Sequence, residues 1–284
     1  MKKEESNGLE RHLSLLTLTA TGICSMVGAS IYVVPIMIQK NVPGIGPYVL
    51  VAFLIAAVPA LFAALSYAAL ASAMPRAGGS YIYASRGLHP YLGFIASFSQ
   101  WFGLSIVIGV IAYVVVPFFR DVASALGWET VADLLEYPPI RVGLSLLFLW
   151  GFALVNILGI KSYEKTLIPL MILMFVLGGV VIVAGLIYDQ NDFVQALLAK
   201  ENRSISGAVA SWDWKIFLSA AALLFSSFIG FDAIAQAGGE AKNPKKNLPR
   251  AIFLAIFGVG LFYFSFTYAV YHTVPWQFVA EEAL

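Results

Sequence analysis

The stretch Gly22–Ile–Cys–Ser–Met–Val–Gly28–Ala–Ser30–Ile–Tyr32 decides the fold, because it interrupts a long apolar segment with small and polar residues. A second apolar segment is interrupted in the same way by Ser226–Ser–Phe–Ile–Gly230–Phe–Asp232. Non-helical backbone at membrane depth is tolerated only where it is buried in protein or lines a cavity. A matched pair of interrupted segments is therefore the best sequence indication of a transporter binding site.

The chain around these interruptions is almost free of charge. It has 284 residues, of which 60% are apolar and 12% are charged, whereas soluble globular chains are about 25% charged. A bundle of soluble helices would also carry polar faces. A membrane helix needs ~20 apolar residues. We therefore predict an all-α integral membrane protein with seven transmembrane helices, near 13–38, 47–73, 91–119, 140–160, 165–188, 215–238 and 250–272.

The positive charges predict the orientation of these spans. With the N-terminus inside, the inner loops hold 11 of the 17 Lys and Arg residues and the outer loops hold 6. Cytoplasmic loops carry such an excess, so we expect a multi-pass protein of the cell (cytoplasmic) membrane. Residues 1–12 are its cytoplasmic N-terminal segment, and residues 13–284 are a single transmembrane domain. The net charge of +1 gives no indication of nucleic-acid binding.

No pattern in the chain supports an enzyme. There is no Walker loop, no G-x-G-x-x-G and no G-x-S-x-G motif. His12, His89 and His272 lie far apart, and Cys24 is the only cysteine. Asp232 has no second acid inside a span with which to form a catalytic pair. We therefore predict no catalytic residues, no metal site and no cofactor.

The two interruptions offer backbone groups to a ligand. A broken helix exposes N–H groups that suit a carboxylate and carbonyl groups that suit an ammonium or a cation. Gly28 and Gly230 allow such a break at little steric cost, and together the two interruptions suit a zwitterion. The alternative is that these small residues only let helices pack closely.

Asp232 is the only carboxylate inside any predicted span. A charged group in hydrocarbon costs on the order of 3 kcal/mol or more, so we expect Asp232 to face a cavity. There it would carry a proton or bind a cationic group. Alternatively, it caps the helix that restarts after Gly230. Both interpretations stay open at this point.

These motifs, taken in order, resemble the amino acid–polyamine–organocation (APC) family of permeases. The resemblance covers essentially the whole chain and is carried by Ser25–Met–Val–Gly–Ala–Ser–Ile–Tyr–Val–Val–Pro35, Met74–Pro–Arg–Ala–Gly–Gly–Ser–Tyr81, Val155–Asn–Ile–Leu–Gly159, Ser227–Phe–Ile–Gly–Phe–Asp232 and Gly239–Glu–Ala–Lys–Asn–Pro–Lys–Lys–Asn–Leu–Pro–Arg–Ala251. It implies the LeuT-like fold, a five-plus-five inverted repeat in which the first and sixth helices are discontinuous. It also implies secondary active transport of amino acids or amines by alternating access.

The resemblance implies a substrate site made from both interruptions. Its substrate-binding positions in this chain are Ser25, Met26, Gly28, Ala29, Ser30, Ser227, Phe228, Ile229, Gly230 and Phe231. N–H groups of the 28–30 run would meet the substrate carboxylate, and carbonyl groups near residues 25–26 and 227–229 would meet its ammonium. By the same resemblance, Phe228 and Phe231 would be gate or cavity aromatics. Asp232 matches the position of a glutamate tied to proton response in a bacterial arginine/agmatine antiporter.

The chain also departs from the family pattern. The family often has G-S/A-G-I-F where this chain has Gly28–Ala–Ser–Ile–Tyr32, and the middle of the fifth span lacks the lysine found in some proton-coupled members. The chain ends after seven spans, so we expect that the missing C-terminal helices or a second chain complete the permease. The alternative is a truncated protein, or a seven-helix sensor or scaffold, without its own transport activity. H⁺ is the candidate coupling ion, and Na⁺ stays open.

Overall fold

The computed structural model describes residues 11–28, 30–205 and 212–283. In these ranges the structure is α-helical, and its only extended pairing is an isolated bridge between Leu13 and Ala241. Short 3₁₀ helices cover Gly46–Tyr48, Ser226–Phe228 and Ala237–Gly239. The α-helices of the described ranges are α1 (Leu15–Val27), α2 (Ser30–Asn41), α3 (Val49–Ala73), α4 (Ser80–Gly87), α5 (Pro90–Ala125), α6 (Glu129–Glu136), α7 (Pro138–Ile157), α8 (Ile160–Ile187), α9 (Gln190–Glu201), α10 (Trp214–Phe225), α11 (Asp232–Gln236), α12 (Pro244–Thr273) and α13 (Trp276–Ala283).

The long apolar helices confirm the predicted fold class, an all-α membrane protein. Six helical stretches of the described ranges are long and apolar enough to cross a membrane, namely 46–73, 90–125, 138–157, 162–187, 214–239 and 244–273. They correspond to the second to seventh predicted spans. The first predicted span, 13–38, contains α1 and α2 instead, and α1 has 13 residues, too few to cross alone. The number of seven spans therefore stays a prediction.

Several helices extend beyond the predicted spans. Helix α12 begins at Pro244 rather than near residue 250. A proline is favourable at the first helical position because it has no N–H group that needs a partner. The preceding residue, Asn243, has a left-handed backbone conformation (φ 45°) and is not part of the helix. The predicted connection 189–214 contains α9, whose first turn is capped by Asp189. Absence of charge thus locates the membrane-embedded part of a helix rather than its ends.

One compact unit comprises Met1–Gly79 and Leu167–Leu284, of which the structure describes the ranges given above. Helix α12 lies at its centre and packs against α1 and α3, while α10 packs against α3. The side chains on the buried faces of α12 recur every three or four residues: Leu248, Ile252, Ala255, Val259, Tyr263, Phe266. This spacing places one continuous apolar face of α12 in the core.

The second compact unit comprises Ser80–Thr166 and contains the long helix α5. Helix α4 packs against α5, as do α6 and α7. The Arg120 guanidinium donates to the carboxylates of Asp121 and Glu136, each at 2.7 Å. The single transmembrane domain expected for 13–284 stays a prediction.

Candidate functional site

The first interruption lies between α1 and α2. Helix α1 ends at Val27, and Gly28 adopts φ 47° and ψ −148°, a conformation that residues with a side chain rarely occupy. Helix α2 begins at Ser30. The helical conformation therefore ends at the glycine that the sequence singles out. Ala29 and the side chain of Ser30 lie outside the described part of the structure.

The second interruption lies between α10 and α11. The 3₁₀ turn Ser226–Phe228 follows α10, Ile229 is extended (φ −72°, ψ 133°), and Gly230 has φ 134°. The Ile229 N–H donates to the Ser226 carbonyl at 3.1 Å, in a three-residue turn. Helical geometry resumes at Asp232. The N–H and carbonyl groups of this segment are thus not arranged as in a continuous α-helix.

The two interruptions are in direct contact. A Cβ atom at Gly230 would lie 2.7 Å from the carbonyl carbon and oxygen of Ser25 and 2.9 Å from the Met26 nitrogen. On one side of this contact α1 packs against α11, and on the other side α2 approaches α10. The four helix halves thus pair across the interruptions, and glycine is required at the crossing because any side chain would collide with backbone.

Tyr263 of α12 is bonded to both interruptions. Its hydroxyl donates to the carbonyl oxygens of Met26 and Ser227, at 2.7 and 3.0 Å, as a three-centre hydrogen bond. The residue is fully buried, and its ring contacts Phe53 and Phe228 with centroid distances of 5.8 and 5.6 Å. Tyr263 lies outside the sequence motifs from which the site was predicted. The available signal was a phenol in the middle of an apolar span, where a hydroxyl requires a partner.

Further hydrogen bonds fix the ends of the first interrupted segment. Before α1, the Leu13 N–H donates to the Glu240 carbonyl at 3.0 Å, and the Lys242 N–H donates to the Leu13 carbonyl at 2.9 Å. In α2, the Pro35 carbonyl accepts from the Tyr271 hydroxyl at 2.8 Å. The buried Gln39 amide in turn donates to that hydroxyl at 3.0 Å. The segment is therefore held on both sides of Gly28.

Two cavities lie beside the second interruption. One, of about 160 Å³, lies between α2 and α10 and reaches the 3₁₀ turn; it is lined by Val34, Met37, Ile38, Asn41, Leu223, Leu224, Ser226 and Ser227. The other, of about 320 Å³, is apolar and lies between α3 and α12, with Phe228 in its wall. Only the first cavity combines apolar side chains with polar groups, as small-molecule sites do.

Asp232 is the first residue of α11 and is partly buried. Its carboxylate accepts a hydrogen bond from the Gln236 side-chain amide at 3.3 Å. A carboxylate in the first turn of a helix interacts favourably with the helix dipole. The N-cap of α11 is Phe231, so Asp232 supports this helix through its charge in the first turn rather than as the capping residue. Its proton-carrying role stays a prediction.

Of the predicted site residues, the structure brings Gly230 onto the backbone of Ser25 and Met26. Tyr263 joins Met26 to Ser227. Met26, Phe228 and Phe231 are buried, while Ser25 and Ile229 are exposed. The Phe231 ring packs edge-on against Tyr67 at 5.4 Å. Their roles in binding stay predictions.

The helices and the paired interruptions define a class of protein, an all-α, multi-pass membrane protein. The sequence profile of the amino acid permease family matches residues 13–283. The chain therefore belongs to the amino acid permease family, and the resemblance of its motifs to APC permeases is confirmed.

Individual relatives differ in the substrate that their names state. The chain is 28% identical over 282 residues to the branched-chain amino acid permease BcaP of Bacillus subtilis (strain 168), covering 94% of this chain and 56% of that protein. It is 29% identical over 289 residues to cationic amino acid transporter 4 of Mus musculus (96% and 43%). It is 26% identical over 262 residues to the methylthioribose transporter of Bacillus subtilis (strain 168) (89% and 53%). The chain spans about half the length of these curated relatives.

Proposed function

We propose that this chain is the substrate-binding part of a secondary active transporter that moves amino acids or related amines by alternating access. Its place is the cell membrane, with the N-terminus in the cytoplasm. The observation that carries the proposal is the contact of the two interruptions, where Gly230 lies on the Ser25–Met26 backbone. Non-helical backbone inside a membrane protein is tolerated where it is buried in protein or lines a cavity, and a matched pair of interrupted segments is typical of a transporter binding site. Membership of the permease family supports transport as the function of this contact.

The substrate would lie at this contact. Its carboxylate would meet N–H groups that follow Gly28, and its ammonium would meet carbonyl groups of the Ser25–Met26 and Ser227–Ile229 backbone. H⁺ carried by Asp232 is the proposed coupling ion. Further helices, from a longer protein or from a second chain, would complete the second repeat.

The cavity beside the site favours a neutral, aliphatic substrate. Among the described residues that line the 160 Å³ cavity, none is charged, and Val34, Met37 and Leu223 present apolar side chains. A cationic side chain in such surroundings would lose its hydration without gaining a partner of opposite charge. L-Leucine is therefore expected to bind in preference to L-arginine.

Uptake into liposomes tests the proposal, with this chain reconstituted together with the further helices that complete the second repeat. We expect accumulation of labelled L-leucine that an inward proton gradient increases, and unlabelled L-leucine should compete better than L-arginine. Thermal stabilisation by L-leucine without any uptake would instead favour the sensor or scaffold alternative. A substrate site at the interruptions is contradicted if no amino acid or amine is taken up and none stabilises the protein.

A further inference from the structure

Tyr263 joins two chain segments that are far apart in the sequence. Met26 precedes Tyr263 by 237 residues and lies in the last turn of α1. Ser227 precedes it by 36 residues and lies in the 3₁₀ turn after α10. One hydroxyl of α12 therefore bonds to a carbonyl of each interrupted segment.

These two carbonyl groups keep some capacity for a ligand. A carbonyl oxygen has two lone pairs, and carbonyls in the last turn of a helix lack their usual N–H partner. The Tyr263 hydroxyl uses one lone pair on Met26 and one on Ser227. It thereby sets the direction in which each second lone pair points.

The phenol ring of Tyr263 is held firmly enough to keep its hydroxyl directed at the two carbonyl groups. Its neighbours Phe53 and Phe228 are nearly as buried as Tyr263 itself. Both pack against the ring at an angle, tilted by 43° and 74° from its plane. Close-packed aromatic neighbours restrict the motion of a buried ring, so the hydroxyl stays aimed at both carbonyls.

We propose that Tyr263 is a positioning residue for the substrate ammonium. This proposal rests on the proposed transport function. Its hydroxyl orients the Met26 and Ser227 carbonyls toward the ligand and links the two interrupted segments to α12. Tyr271 is a natural comparison, because its hydroxyl bonds to Pro35 of α2 and so fixes the first segment only.

The linkage is tested without any substrate, by hydrogen exchange of the purified chain. Tyr263→Phe keeps the ring and removes the hydroxyl. We expect about fivefold faster exchange in peptides from both segments, 22–28 and 226–233, since one hydrogen bond contributes on the order of 1 kcal/mol. Tyr271→Phe should accelerate exchange in α2 only. Tyr268→Phe, an exposed phenol of the same helix, is the control and should change neither segment.

The positioning role is tested by L-leucine uptake into liposomes. Tyr263→Phe should raise KM about fivefold, the same factor as above, and leave the maximal rate per folded molecule unchanged. A lower maximal rate with an unchanged KM would mean that the hydroxyl serves stability alone, and would overturn the positioning role. Accelerated exchange in only one segment would overturn the linkage. If the unmodified chain takes up neither L-leucine nor L-arginine, the proposed function and the substrate role fail, and exchange alone decides the linkage.

Discussion

Gly230 lies directly on the carbonyl group of Ser25, so the two interrupted segments touch through backbone alone. A Cβ atom at Gly230 would come within 2.7 Å of that carbonyl, closer than van der Waals contact permits. Gly230 also has φ 134°, which disfavours any other residue. Two independent causes therefore require glycine at this position.

Replacing Gly230 by alanine should separate the segments. We expect Gly230→Ala to lower the unfolding free energy by about 2 kcal/mol or more, from backbone strain together with overlap, and to abolish L-leucine binding. Gly28→Ala is strained at φ 47° and ψ −148° but has open space around it, so it should cost about 1 to 3 kcal/mol from strain alone, without the overlap. Gly258→Ala, in open space on α12, is the control. Unfolding midpoints and binding isotherms measure these effects, and equal losses at Gly230 and Gly258 would contradict the contact.

Replacing Asp232 by asparagine tests the proposed proton coupling. The amide keeps an oxygen that accepts from Gln236, so the local hydrogen bond survives while the proton-binding carboxylate is lost. We expect L-leucine uptake that no longer rises as the outside solution is made acidic. Gln236→Ala, which removes the hydrogen bond and keeps the carboxylate, should retain the pH response. An unchanged response in Asp232→Asn would contradict the proton-coupling role and leave Asp232 only its interaction with the dipole of α11.

The glycines that lie inside the two interruptions were predictable from the sequence. Gly28 and Gly230 stand among small and polar residues inside apolar segments, and both have positive φ in the structure. The long spans were equally predictable from the sequence, because hydrocarbon excludes charge over ~20 residues. Local composition is sufficient for such features.

Features that depend on distant partners were not predictable in this way. The acceptors of Tyr263 lie 36 and 237 residues away, and no local pattern specifies which carbonyls a buried phenol will meet. The short helices α6, α9 and α13 lie outside the seven predicted spans, which were placed by hydropathy alone. For α9 the capping residues Asp189 and Asp192 were a usable signal.

The cap of α9 should make part of the stability depend on pH. The Asp189 carboxylate accepts from the N–H groups of Asp192 and Asn191, and these bonds lower the pKa of Asp189. Because the folded pKa lies below the unfolded value of about 3.9, the contribution is complete above that value and is lost as the pH falls through the folded pKa. Asp189→Ala should therefore lower the melting temperature at neutral pH but not in strong acid. Asp133→Ala, an exposed acid inside α6, is the control, and a pH-independent difference for Asp189→Ala would contradict the assignment.

Two glycines of α8 provide a matched test of its packing against α12. A Cβ at Gly185 would lie 2.7 Å from the Ala269 carbonyl carbon, whereas one at Gly179 would meet nothing within 4 Å. Gly185→Ala should therefore destabilise the protein by roughly 1 to 3 kcal/mol through overpacking. Gly179→Ala should be neutral or stabilising by up to about 1 kcal/mol, because alanine favours the helix. Denaturant unfolding of both variants in the same detergent measures the difference, and equal stabilities would mean that α8 can shift away from α12 without loss.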